Sequence, residues 1–168
     1  MPLDVNVDKA SPASFELVFP ILPEGVGLAS GKELTLNIFS TIIPGVTMDV
    51  EELRWQATKT TQATGTLTFE QWNVNFLVDS ELLNWKSLFN WLTFINNNKD
   101  KMLESPEDYV VDATLRVIDN FGSEVFRLFF TGVWINALAE LTMSHREGEQ
   151  VLECNGQFVY DRFELRED

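Results

Sequence analysis

The stretch TLTFEQWNVNFLVDSELLNWKSLFNWLTFI, Thr66 to Ile95, carries two different hydrophobic periods end to end. Leu67 and Phe69 share one parity, and Trp72, Val74, Phe76 and Val78 take the other. Alternation by twos is the mark of a strand with one buried face. The change of parity near Glu70-Gln71 predicts an extra residue there, most simply a β-bulge. From about Glu81 to Asn96 the period lengthens, with Leu82, Trp85, Leu88, Phe89, Leu92 and Ile95 recurring at three- and four-residue steps. That spacing gives one apolar stripe on a helix. Asp79 or Ser80 stands where a cap is needed, and Glu81 falls in the first turn. Asn96-Asn97-Asn98 ends it.

Outward from this strand–helix unit, strand patterns dominate. Ser14 to Phe19 is a short strand stopped by Pro20 and Pro23, followed by a loop holding Gly25, Gly27 and Gly31. Leu34, Leu36 and Ile38 alternate with Thr35 and Asn37 until Pro44-Gly45. Val46 to Gly65 is rich in Thr, Gln and Glu without clear periodicity. It reads as a long loop over 44–65, and loops of that length are usually functional or docked.

Beyond the helix, Val111, Ala113, Leu115 and Val117 alternate with polar residues, Asp119 to Gly122 turns, and Ser123 to Thr131 returns. Val133 to Met143 fits either an irregular strand or a loop, and Arg146-Glu147-Gly148 reads as a tight turn. A last strand puts Leu152, Cys154, Gly156, Phe158 and Tyr160 on one side, and Glu149, Val151, Glu153, Asn155, Gln157, Val159 and Asp161 on the other. The outline is β-β-(long loop)-β-α-β-β-β-β. It predicts a mainly β single domain over 1–168, with an N-terminal arm at 1–13. The fold class is an antiparallel sandwich or barrel, with one helix at about 80–97 plugging or flanking an open end.

The chain has 168 residues, 12 basic and 26 acidic, for a net charge of −14, and is 45% hydrophobic with thirteen Phe and five Trp. It is too apolar for disorder. Its charge argues against gripping nucleic acid through phosphates, which needs clustered Lys and Arg. A single cysteine, Cys154, excludes an internal disulfide framework and a Cys-based zinc site. The start Met-Pro-Leu-Asp does not read as a signal peptide, and Phe126 to Ile135 is too short to span a bilayer, so the expectation is a soluble intracellular product without a membrane partner.

Catalytic signals are poor. His145, the one histidine, reads as a solvated turn residue, and Cys154 as a small core hydrophobe. Gly25-Val26-Gly27 with Gly31 lacks the spacing of a phosphate loop. Glu51-Glu52 and Glu107-Asp108 are adjacent along the chain, which does not make an acid/base pair. Trp72, Trp85, Trp91 and Trp134 lie in amphipathic patterns and read as core. No catalytic residue, cofactor site or metal site is predicted.

Several stretches together resemble the tail tube protein of contractile-tailed bacteriophages. These are TFEQWNVNF (Thr68 to Phe76), NWKSLFNWLTFI (Asn84 to Ile95), FTGVWI (Phe130 to Ile135) and CNGQFVYDRFEL (Cys154 to Leu165). The resemblance implies a β-sandwich or barrel subunit whose sheets join across hexameric rings, with the rings stacking into a hollow tube. The same fold is implied for the type VI secretion tube protein. Implied partners are further copies of the chain, a tail sheath, baseplate and tail terminator proteins, and viral DNA passing without tight binding. The implied locations are the virion and, during assembly, the host cytoplasm.

Under that resemblance, Glu149, Glu153, Asn155, Gln157 and Asp161 are expected to line the lumen as an acidic, non-adhesive wall. The long loop, notably Val50, Leu53 and Trp55, is expected to contact a neighbouring subunit. Rival readings are a baseplate tube initiator, a secretion tube protein, and a monomeric small-ligand-binding β-barrel.

Overall fold

In the computed structural model, residues 14–26, 33–55, 58–99, 105–143 and 151–166 are described. His145, Glu149 and the turn expected at Arg146 to Gly148 lie outside them. Nine strands and one helix follow in the order β1 (Ser14–Phe19), β2 (Leu34–Thr41), β3 (Val46–Trp55), β4 (Thr58–Phe69), β5 (Trp72–Leu77), α1 (Leu83–Asn97), β6 (Val111–Ile118), β7 (Glu124–Leu138), β8 (Glu153–Val159) and β9 (Arg162–Arg166).

Six strands form a closed antiparallel barrel. Their order is β6-β1-β2-β5-β8-β7, and β7 pairs back onto β6. Closure gives every barrel strand a paired neighbour on each side along part of its length, which reduces the exposed edges that invite aggregation. The seventh strand of the sheet, β9, pairs only with β7.

The inward residues alternate as the sequence predicts. Leu17, Phe19, Leu36, Val74, Phe76, Leu115, Phe130, Ile135 and Phe158 are fully buried. At the centre, the Trp72 ring lies flat on Phe130, centroids 3.9 Å apart and 2° from parallel, with Tyr160 edge-on to Phe130 at 5.1 Å. The Trp72 indole N–H donates to Thr41 Oγ1 at 3.1 Å, so the largest buried ring leaves no polar atom unpaired. A small barrel filled by rings in this way is a packed core.

Helix α1 covers one end of the barrel. Trp91 is buried edge-on against Phe19 at 5.6 Å, and its indole donates to the Tyr109 carbonyl at 3.0 Å. Asp79 caps the helix as expected, but from outside it. Its carboxylate accepts from the amides of Leu83 and Asn84 at 2.6 and 3.1 Å. Leu82 takes a left-handed conformation at φ 58°, so the helix starts at Leu83 and Glu81 stays out of the first turn. The predicted stripe packs inward except at Phe89, with Leu88 buried and Leu82, Trp85, Leu92 and Ile95 half-buried against the core. Asn84, Ser87, Leu88 and Trp91 face inward, while Phe89 is exposed and stacks on Trp85 at 5.3 Å. The two polar members tolerate burial because Asn84 Nδ2 donates to the Leu77 carbonyl and Ser87 Oγ to the Leu83 carbonyl.

Three sequence expectations are corrected. The segment read as a loop over 44–65 is mostly a long hairpin, β3 paired antiparallel with β4. Both faces are largely wet, so no alternation betrays it. The parity change at Glu70-Gln71 is a change of sheet, since β4 ends in the hairpin and β5 opens the barrel. The Glu70 amide donates to the Gly45 carbonyl and closes the hairpin root. Finally, of the two readings open for Val133 to Met143 the strand holds over Val133 to Leu138 as the end of β7, and a short strand that was not predicted, β9, follows β8.

The long strand β7 changes partner halfway. Residues Arg127 to Thr131 pair with β9, and Trp134 to Leu138 pair with β8. Gly132 stands at the change with φ +67°, and Asp161 of the β8–β9 bend fills the space a Cβ would need. Replacing Gly132 by Ala is therefore expected to cost about 1–3 kcal/mol, read as a lower denaturant midpoint with an unchanged slope.

Candidate assembly surfaces

Of the residues weighed for chemistry, Cys154 is buried on the inner face of β8. Burial raises its thiol above the ordinary value, only partly offset by the Asn155 backbone and the Trp85 indole, so it stays a neutral core group. Burial, with the Glu70 carboxylate nearby, pushes the Tyr160 hydroxyl up to about 12. It therefore remains a donor, and its 2.6 Å hydrogen bond to the Glu70 carbonyl ties the hairpin root to the barrel. Three surfaces remain.

The first is the hairpin. It leaves β2 and re-enters at β5, at the end of the barrel opposite α1. Val46, Met48, Val50, Leu53 and Leu67 are all exposed, Val50 at 65%. Phe69 anchors its root by packing edge-on against Tyr160 and Phe163. Beyond that root, β3 and β4 pair only with each other. Two of the three predicted contact residues, Val50 and Leu53, thus lie exposed on the projecting arm, and the third, Trp55, ends β3.

The second surface is the outer wall of β5 and β8. Asn73 stands across from Gln157 and Asn75 from Asn155. Asn155 Nδ2 donates to Asn75 Oδ1 at 2.7 Å, and Asn136 of β7 donates to Gln157 Oε1 at 3.3 Å. Neither strand contains Lys or Arg, and Glu153 is their one carboxylate. The structure brings Glu153, Asn155 and Gln157 together here. Asp161 lies instead at the β8–β9 bend, its carboxylate packed on Gly132. Sequence reasoning found the β8 half of this wall but missed Asn73 and Asn75. Their alternation with Trp72, Val74 and Phe76 was the available signal.

The third surface is the opposite wall, which carries four of the six arginines: Arg116, Arg127, Arg162 and Arg166. Arg116 bridges Glu16 at 3.2 Å and Glu124 at 2.9 Å, and Arg127 reaches the other Glu124 oxygen at 2.7 Å. Arg166 lies over the Phe129 ring at 4.1 Å, a cation–π contact.

Comparison with known proteins gives this architecture a family. Residues 10–166 match the family described as phage tail tube protein. The chain belongs to that family. Its members are structural tube proteins, not enzymes. Among curated proteins, the chain is 25% identical over 142 residues to the tail tube terminator protein of Enterobacteria phage T4, covering 80% of this chain and 79% of that one.

Among solved structures, it resembles the sheath/tube terminator assembly of the extracellular contractile injection system PVC. The TM-score is 0.62 at 12% identity, with 96% of this chain and 99% of that chain covered. It also resembles Hcp1 of the E. coli EAEC 042 pathovar, with TM-score 0.54, 10% identity, and 90% and 89% covered. At such identities the likeness is one of fold, and it matches the fold class that the resemblance implied.

The arginine wall also makes a measurable prediction. Hydrogen bonds from Arg127 and then Arg116 hold the Glu124 carboxyl below its ordinary value. A lowered folded-state pKa stabilises the fold above the unfolded value of about 4.3, and that contribution is lost as pH falls through the folded value. Wild-type stability should therefore drop more steeply than that of Glu124→Gln between about pH 5 and pH 3. Thermal melting across that range checks it.

Proposed function

We propose that this chain is a ring-forming structural subunit of a bacteriophage tail tube. In this reading, rings of six copies stack into a hollow tube that conducts DNA during ejection. The tail sheath, baseplate and terminator proteins are its other partners, the virion is its destination, and the host cytoplasm is where it assembles. The observation that carries the reading is the β3–β4 hairpin. A two-stranded hairpin is marginal alone in water, and this one exposes five large apolar side chains without a core of its own. Family membership supports a second copy of the chain as what covers it. The two barrel ends also differ, one closed by α1 and the other bearing the hairpin, which suits head-to-tail stacking.

Within such a ring we assign the amide wall of β5 and β8 to the lumen, with Glu153, Asn155, Gln157, Asn73 and Asn75 facing the passage. Neutral amides offer DNA phosphates no counterion-release gain. A second reading, a terminator that caps the tube with one ring, is favoured by the 25% identity to the T4 terminator.

Electron microscopy of the concentrated protein separates the two. Tubes that lengthen with concentration support the repeating subunit, single rings support the terminator, and a persistent monomer rejects both. Replacing residues 49–64 with a tight turn is expected to leave a folded barrel that sediments as a monomer. Intact rings from that variant would reject the hairpin's role. Introducing Asn155→Lys with Gln157→Lys should leave assembly unchanged while slowing DNA ejection, measured as dye-labelled DNA release. An unchanged ejection rate would remove these residues from the lumen.

A further inference from the structure

Because the barrel closes on itself, few strand edges remain for another chain. Among the described residues, the outer edge of β9 and the two outer edges of the hairpin are unpaired along their whole length. We propose that the outer edge of β9 is the acceptor for the tip of strand β3 from a neighbouring copy, with the two strands antiparallel and Arg54 opposite Glu164. This rests on the tube-subunit reading and specifies the surface that receives the hairpin.

The sequences of the two edges are complementary in that register. It sets Glu52 opposite Arg166, Leu53 opposite Leu165, Arg54 opposite Glu164 and Trp55 opposite Phe163. Directly opposed residues share a face, so two oppositely charged pairs fall on one side and Leu53 and Leu165 meet on the other. The charged groups are accessible. Arg162 and Glu164 meet each other only at 3.5 Å, with 63% and 51% of their side chains exposed, so their mutual pair is weak. Glu52 is bridged to Lys59 at 2.5 Å in an equally exposed pair. Leu165 is 57% exposed and Leu53 42% exposed, a cost that mutual burial would relieve.

Reach explains why the hairpin does not satisfy its own β9. Its root is pinned beside β9, because Phe69 packs on Phe163 at 5.5 Å. The ten residues of β3 then carry the tip about 30 Å away, at roughly 3.3 Å per residue. Donor and acceptor therefore sit far apart on one molecule. A contact between such different patches is heterologous, and repetition closes it into a ring or propagates it as a helix.

The test is a charge-swap cycle on the full chain, read by sedimentation and electron microscopy. Arg54→Glu and Glu164→Arg are each expected to raise the concentration needed for assembly about three- to tenfold, since each sets like charges opposite one another. The double variant should return to near the wild-type value. Glu52→Arg with Arg166→Glu gives a second cycle, and thermal melting confirms that each variant folds. Single variants that assemble like wild type, or double variants that fail to recover, overturn the docking while the tube reading stands. A wild-type chain that never assembles overturns both.

Discussion

A strand that must serve different neighbours along its length governs this structure. On one side β7 pairs with β6 and closes the barrel; on the other it pairs first with β9 and then with β8. An ordinary extended strand would continue straight past the junction. Gly132, in a left-handed conformation that L side chains rarely adopt, lets the chain turn there, and Asp161 occupies the space its missing side chain leaves. The inner residues on both sides of the corner, Phe130 and Val133, are buried in the same core. The corner joins the half of β7 that carries Phe130 and borders β9 to the half that pairs with β8.

Closure has a consequence for assembly. A sandwich with open edges joins its neighbours by extending its own sheets. A barrel closed within one chain has used most of those edges, so a projecting strand pair is the larger surface left for strand-mediated contact. The hairpin is that pair. Phe69 gives it a fixed root, the Thr-rich strand β4 has strong β preference, and the apolar side chains that the hairpin leaves exposed are what a partner in the proposed assembly would cover.

The parts of the fold legible in the sequence were those where one face is dry and the other wet. The strand Trp72 to Leu77, the strand Val111 to Ile118 and the inner face of β8 follow their alternation, and Cys154 is buried where that pattern puts it. The hairpin was illegible as a strand pair because alternation records burial, and Thr58 to Thr68 is exposed throughout. The helix stripe was legible except at exposed Phe89, while Asn84 and Ser87 are buried through hydrogen bonds that polarity alone does not reveal. For the candidate surfaces, the amide face of β8 was visible in its alternation. The arginine wall was not, since Arg116, Arg127 and Arg166 come together only through the β6–β7–β9 pairing.

The charge distribution refines what a net −14 means. The nine strands carry eight acidic and six basic residues, a net of −2, and α1 carries only Lys86, so the acidity lies in the connections and termini. The barrel walls are close to neutral, and the acidity gathers between the strands. An acidic lumen expected from net charge alone therefore gives way, in the orientation proposed, to a wall of hydrogen-bonded amides with Glu153 at its margin. In that orientation the amides of Asn155 and Asn75, already satisfied by one another, would offer a phosphate neither a cation to pair with nor dense repulsion. The acidic connections then act between molecules. Like charge on facing surfaces disfavours casual contact, which leaves association to the few places where charges and apolar residues are matched.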